Sequence, residues 1–346
     1  MIIPRSQASV YRKIENYILD KPHFYEYDGT IKKGVIIMEQ VKILGLPASA
    51  QDEKSARAFL ENMRWPNGTT CAHCKSTEIY RLTPKANSKS PAREGLFKCR
   101  ACRKQFSVTV GTIFEGSHIP LHKWLMAVHF LCSSKKGMSA LQLSRMLGVS
   151  YKTAWFMCHR IRLAMKKMPL IKKREGIVEV DETYIGGKSD RDFGRTGFEN
   201  KSPVMVLVQR NGGLRSMPIK RLSAIELKRE IRANVSIAST IMTDEHKSYQ
   251  GLDREFVGGH KVVNHSRKEY VRGNVYTNTA ESYFALLKRG IHGTFHHVSR
   301  KHLGRYCDEF SFRWNTRKVT DSERAMEVIN GIEGKRLLYK QQVKSQ

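Results

Sequence analysis

The sequence predicts a mixed α/β fold preceded by a four-cysteine module and a helical region, and three observations carry that reading. Apolar runs of strand length at 177–187, 203–210, 214–220 and 239–245 surround a helical pattern at 223–235, and helical segments follow from 278 onward. Four cysteines stand in two Cys-x-x-Cys pairs ahead of that region. Between them, residues 135–165 have the spacing of two helices around a central glycine turn.

The chain has 346 residues, and its 61 Lys and Arg against 32 Asp and Glu leave a formal net charge of +29. That length fits two or three domains. A hydrophobic fraction of 40% with 13 Tyr, 14 Phe and 4 Trp supports folded cores and argues against a disordered chain. Mean hydropathy is −0.47, and no apolar run approaches the roughly 20 residues of a membrane-spanning helix, so no membrane partner is expected. A charge of this size and sign on folded domains points to a polyanion, nucleic acid above all. The first twenty residues lack the apolar core and small-residue cleavage site of a secretory signal, so a reducing cytoplasmic setting is expected. There, paired cysteines indicate metal or redox chemistry before disulfides. Cys132, Cys158 and Cys307, outside the pairs, are expected as buried apolar residues.

Five segments follow in order. Residues 1–50 form a basic, aromatic N-terminal extension in which Met38 is an alternative start to Met1. Residues 51–112 hold an amphipathic lead-in helix near 51–64 and both cysteine pairs. Residues 113–170 contain helical patterns at 118–132 and 139–168 and end in a basic linker. Residues 171–320 carry the α/β pattern, with a mobile Gly-rich loop expected at 186–197. Residues 321–346 read as a C-terminal tail that frays from 334 onward.

Cys71, Cys74, Cys99 and Cys102 form two pairs separated by 24 residues. Each pair supplies two sulfurs from one tight turn, and the intervening chain can return through a hairpin. Four thiolates in a tetrahedron are the preferred shell of structural Zn²⁺, so the spacing predicts a zinc ribbon. Lys75, Lys98, Arg100, Arg103 and Lys104 flank the ligands, favour thiolates, and can meet phosphates.

In 135–165, Leu141, Leu143, Met146 and Leu147 suit the inner face of a first helix. Gly148-Val149-Ser150 supplies the turn, with Ser150 as N-cap. The second helix is expected to turn Ala154, Trp155, Cys158 and Ile161 inward and Lys152, Thr153, Arg160 and Arg162 outward. This is a helix-turn-helix pattern, with Lys152 and Arg160 as candidate double-stranded DNA contacts.

Three acids stand out. Asp181 interrupts an apolar strand, Asp244 ends another, and Glu281 lies early in a helix. A carboxylate among apolar neighbours needs a polar rim or a metal. Two strand-borne aspartates and a helix-borne glutamate can converge on a pair of divalent cations, which favour carboxylate and phosphate oxygen and promote in-line phosphoryl displacement. Glu179, Glu182 and Glu245 are rivals; strand alternation places Glu179 on the face of Asp181 and Glu182 on the opposite one. Lys288 follows Glu281 by seven positions, on the same helix face.

Through the stretches VEVDETYIGGK, TDEHKSY, VNHSRKEYV and NTAESYFALLKRGIHGTFHHVSRKHLGRYCDEFSFRWNTR, the chain resembles the DDE transposases of bacterial insertion sequences. The likeness is to the branch with an N-terminal zinc ribbon and a ribonuclease-H-like catalytic domain, and it covers roughly residues 55–318. The resemblance implies a mixed sheet flanked by helices, and a catalytic triad of Asp181, Asp244 and Glu281 with 36 residues between the second and third. It implies two Mg²⁺ or Mn²⁺ ions on those acids, contact of Lys288 with transposon-end DNA, and His265 as an active-site neighbour. Arg289, beside Lys288 in the same basic segment, is a further candidate DNA contact. The implied activity is hydrolysis at each transposon end followed by attack of the freed 3′-hydroxyl on target DNA. A homodimer or larger assembly on DNA, in the bacterial cytoplasm and at the nucleoid, is expected with it. The alternative is a catalytically silent or domesticated regulator that keeps only the ribbon and the helix-turn-helix. His292, His296 and His297 lack an established metal-ligand pattern and read as phosphate contacts or surface.

Overall fold

The computed structural model describes residues 50–83, 93–166, 173–186, 201–269 and 271–339. The N-terminal extension, apart from Ala50, and the Gly-rich loop beyond Gly186 lie outside these residues.

Helix α1 (Glu53–Arg64) starts at Asp52, whose carboxylate accepts from the Ser55 amide at 2.8 Å. Strands β1 (Ile79–Arg81), β2 (Phe97–Cys99) and β3 (Gln105–Phe106) form a three-stranded antiparallel sheet. Trp65 meets Phe97 and Phe106 edge-on, with ring centroids 5.5 and 6.0 Å apart, which gives this small sheet an aromatic core.

The next three helices are α2 (Leu121–Ser133), α3 (Ala140–Leu147) and α4 (Tyr151–Met165). Gly148 stops α3 in the left-handed region at φ 60°, and the Ser150 hydroxyl caps α4 by accepting from the Thr153 amide at 3.2 Å. The tight turn expected between two helices is therefore present.

Several expectations for these helices need correction. Leu143 and Leu147 are buried, but Leu141 and Met146 are 49% and 45% exposed on the other side of α3. Arg160 and Arg162, expected outward, are buried. The reason is the position of α4, which packs against α2, α3, α7 (Arg300–Asn315) and α8 (Asp321–Asn330), so that past its first turn most of its sides are covered. Arg160 lies over the Phe156 ring at 4.6 Å and donates to the Leu337 carbonyl at 3.2 Å.

The C-terminal segment is likewise more than a tail. Thr320 and Glu323 form a reciprocal capping box at the start of α8, whose Ala325, Met326, Val328 and Ile329 are buried in the core shared with α1, the ribbon and α2–α4.

The larger sheet contains β4 (Ile177–Gly186), β5 (Lys201–Gln209), β6 (Leu214–Pro218), β7 (Thr240–Thr243) and β8 (His260–Val262) in the order β6-β5-β4-β7-β8. The first three strands pair antiparallel, whereas β7 and β8 run parallel to β4. Helix α5 (Ala224–Asn234) covers one face with Leu227 and Ile231, packed on Val178, Val180 and Ile241. Helices α6 (Asn278–Gly290) and α7 cover the other, packed on Ile185, Val204 and Val206. This is the mixed sheet flanked by helices that the resemblance implies. α6 and α7 come very close where Gly290 faces Phe310. A side-chain carbon there would lie 2.0 Å from the ring, so only glycine fits.

Candidate active site

Strand alternation decides which acids can meet. Val178 and Val180 point toward α5, so Glu179 and Asp181 point toward α6. The parallel register ends with Glu179 paired to Met242, and Asp181 and Asp244 each follow two residues on, Asp244 just past the end of β7. Asp244 lies near enough for its negative charge to act on Asp181. Glu281 is the fourth residue of α6, and its charge, with those of Glu182 and Asp244, acts on Asp181.

Burial, opposed by the Glu182 amide and reinforced by those three negative charges, pushes the Asp181 carboxyl up to about 8. Asp181 Oδ1 accepts from the Glu182 amide at 2.7 Å, and Asp244 Oδ1 accepts from the His246 amide at 3.0 Å. Glu281 is half exposed and lies 3.9 Å from His265 Nε2. Among the described residues, no Lys or Arg comes within 4.0 Å of any of the three carboxylates. Among the described residues only the four ribbon cysteines bring three or more possible metal ligands within 4.8 Å of one another, so the three carboxylates are neighbours that do not close into a metal-sized cluster.

The rival acids are engaged elsewhere. Glu179 is fully buried and paired with Arg210 at 2.8 Å. Glu245 accepts from the amides of His265 and Ser266 at 2.8 and 2.9 Å, which ties the His265 turn to the end of β7. Glu182, on the α5 side, receives the Tyr249 hydroxyl.

Lys288 and Arg289 are exposed at the end of α6. That helix borders a groove of about 510 Å³ in which Lys135, Arg289 and Arg317 stand. Lys152 is exposed on the first turn of α4, and Arg160 is not. A second cavity, of about 460 Å³, lies at the other end of β4 beside Arg174 and Arg215 and contains none of the three acids.

In the ribbon, the ligand atoms of Cys71, Cys74, Cys99 and Cys102 all lie within 4.8 Å of one another. Two sulfur pairs are separated by 3.7 and 3.6 Å. Four sulfurs about 2.3 Å from a central Zn²⁺ would be about 3.8 Å apart along the edges of the tetrahedron, so the cluster has the size of a zinc site. Lys75 and Arg103, each following the second cysteine of its pair, adopt φ of 65° and 58°, which closes the two turns around the sulfurs. Cys132, Cys158 and Cys307 are buried, and burial pushes their thiols up to about 12, 11 and 12. Among the described residues, the histidines of 292–297 form no metal cluster.

Residues 173–315 match the ISXO2-like transposase domain, and residues 51–105 match the transposase zinc-ribbon domain. The chain thus carries an ISXO2-like transposase domain behind a transposase zinc-ribbon domain. A relative in Halobacterium salinarum, described as an uncharacterized protein in transposable element ISH50, is 28% identical over 277 residues, covering 75% of this chain and 90% of the relative. The four-cysteine cluster falls within the zinc-ribbon match, and Asp181, Asp244 and Glu281 all fall within the transposase-domain match. No helix among the described residues is long and apolar enough to cross a membrane.

Residue patterns alone did not reveal the roles of Glu179, Arg210 or the Arg162–Glu309 pair. For Glu179 a signal existed, since a second acid on the face of Asp181, inside an apolar strand, requires a partner. Arg210 follows β5 in an ordinary turn sequence and carries no comparable signal.

Proposed function

We propose that this transposase binds the ends of its insertion sequence and catalyses metal-dependent cleavage and strand transfer, with Asp181, Asp244 and Glu281 holding the catalytic ions. The observation that carries this reading is the nearness of Asp181 on β4, Asp244 just past the parallel β7 and Glu281 on α6, whose charges act on one another and which, among the described residues, have no cationic side chain paired to them. Two Mg²⁺ or Mn²⁺ ions bound there would supply Lewis-acid stabilisation of the phosphate charge and a water of lowered pKa. The raised Asp181 carboxyl means that it loses its proton as cation binds.

In the first step, water adds to the phosphorus at the transposon end. The bond from phosphorus to the 3′-oxygen breaks, and a free 3′-hydroxyl results. In the second, that hydroxyl attacks a target phosphodiester and displaces its 3′-oxygen. The protein's part is positioning and charge neutralisation. Lys288 and Arg289 hold the end DNA along α6, Lys152 meets the duplex from the first turn of α4, and His265 orients Glu281 across 3.9 Å. Segments 51–112, 113–170 and 171–320 act as zinc-dependent ribbon, helix-turn-helix region and catalytic domain, with 321–330 belonging to the helical core. Zn²⁺ in the ribbon is structural. Joining two ends requires a dimer or larger assembly, working in the bacterial cytoplasm at the nucleoid.

A silent regulator has no need of three neighbouring acids that, among the described residues, have no cationic partner, and this favours the enzyme. Purified protein incubated with paired end and target DNA in Mg²⁺ tests the reading. Joined end–target product is expected, and end binding without nicking or joining in either Mg²⁺ or Mn²⁺ would leave the regulator instead.

A further inference from the structure

The start of α6 is held in an unusual way. Thr277, the residue in the N-cap position, makes no side-chain capping bond. The orphan amides of the first turn are met instead by Glu179, from the middle of the sheet. Glu179 Oε2 accepts from the Thr279 amide at 3.0 Å and the Ala280 amide at 3.2 Å, and Oε1 accepts from the Thr279 hydroxyl at 3.0 Å. Arg210 Nε donates to the same Oε1 at 2.8 Å. The Arg210 guanidinium also donates to the Asn274 carbonyl and side chain at 2.7 and 2.8 Å and to the Tyr276 carbonyl at 2.8 Å, and lies 3.6 Å over the Tyr276 ring.

One carboxylate therefore gathers the helix start, while its guanidinium partner gathers Asn274 and Tyr276 just before it. Burying a charge is costly unless it is paired and fully hydrogen-bonded, and Glu179 meets both conditions. Its oxygens already accept four bonds, which leaves little capacity for a metal.

We propose that Glu179, with Arg210, is a positioning residue that fixes the separation of the Asp181 and Glu281 carboxylates. Glu179 lies two residues before Asp181 on the same face of β4, and the last amide it holds, Ala280, is the residue before Glu281. The clamp thus ties the strand that bears one acid to the helix turn that bears the other. The proposal rests on the reading of these acids as metal ligands.

The test uses the full chain, Mn²⁺ as probe, and Mn²⁺ affinity measured by electron paramagnetic resonance, beside end-DNA binding and thermal unfolding. Glu179→Asp keeps the charge but withdraws the cap by one methylene. It is expected to weaken Mn²⁺ binding about 10-fold or more, in the range of lost outer-shell contacts, with end binding within about twofold of wild type. A folded Glu179→Asp protein with wild-type Mn²⁺ affinity overturns the clamp, even if its melting temperature falls. Should that variant not fold, Thr279→Val removes only the hydroxyl bond. It is expected to weaken Mn²⁺ binding about fivefold, the worth of one hydrogen bond, and unchanged affinity overturns the proposal. Asp181→Asn separates the two ideas. It must abolish the Mn²⁺ site, and retained Mn²⁺ binding there overturns the metal reading on which the clamp depends.

Discussion

Arg162 of α4 donates to Glu309 of α7 at 2.6 Å, and the two side chains are only 2% and 0% exposed. Arg313 joins the same carboxylate and donates to the Leu131 carbonyl at 2.7 Å, so α2, α4 and α7 meet at one buried carboxylate. The helical region and the helices over the sheet are thereby locked together. Glu309→Ala leaves two guanidiniums buried without their counter-charge and is expected to cost about 3–5 kcal/mol in urea unfolding. A loss below about 1 kcal/mol shows that the network relaxes without it.

The ribbon makes a prediction about metal. Its sulfur separations match a zinc tetrahedron, and its own core is little more than Trp65, Phe97 and Phe106. Purified protein is expected to carry one tightly held Zn²⁺ per chain by metal analysis. Cys99→Ser or strong chelation should change Trp65 fluorescence and loosen the ribbon, since the binding energy of a structural zinc, on the order of 10 kcal/mol, is folding energy.

Asp181 gives a pH dependence of defined sign. Burial, chiefly, raises its carboxyl to about 8 in the folded protein, whereas an unfolded aspartate titrates near 3.8. Between those values the metal-free native state holds the extra proton, so stability falls as pH rises through this window. Asp181→Asn should flatten that fall and raise the melting temperature of metal-free protein at pH 8. Saturating Mg²⁺ should stabilise wild type at pH 8 far more than the variant.

The candidate DNA contacts divide by exposure. Lys152→Ala and Lys288→Ala are each expected to lower the slope of log affinity against log salt by about one, with little effect on stability. Arg160 is buried against Phe156, so Arg160→Ala should lower stability and leave the salt slope unchanged. Salt titrations of end-DNA binding on the three variants check both statements.

The strands, the cysteine cluster and the face on which each strand acid lies are legible because each leaves a local mark. Alternation put Asp181 and Glu179 on one face, and Cys-x-x-Cys spacing announced its tetrahedron. What remained hidden depended on distant partners. Arg160 and Arg162 read as exposed because helix periodicity cannot show that α7 and α8 close around α4 from more than a hundred residues away. Helix α8 itself was marked by Thr320 and Glu323, a capping signal passed over beside a basic terminus. Glu179 was seen as a competitor of Asp181, but its partner Arg210 and the amides of Thr279 and Ala280 become visible only when α6 is laid on the sheet.

The central claim is that Asp181, Asp244 and Glu281 form one metal-dependent cleavage centre. Cleavage of labelled end DNA by wild type and by Asp181→Asn, Asp244→Asn and Glu281→Gln, in Mg²⁺ and with end binding measured in parallel, tests it most directly. The account predicts that each substitution lowers cleavage by about a thousandfold or more, the scale of removing a transition-state charge stabiliser, while end binding stays within about threefold. Cleavage by any one of the three at near the wild-type rate would contradict it.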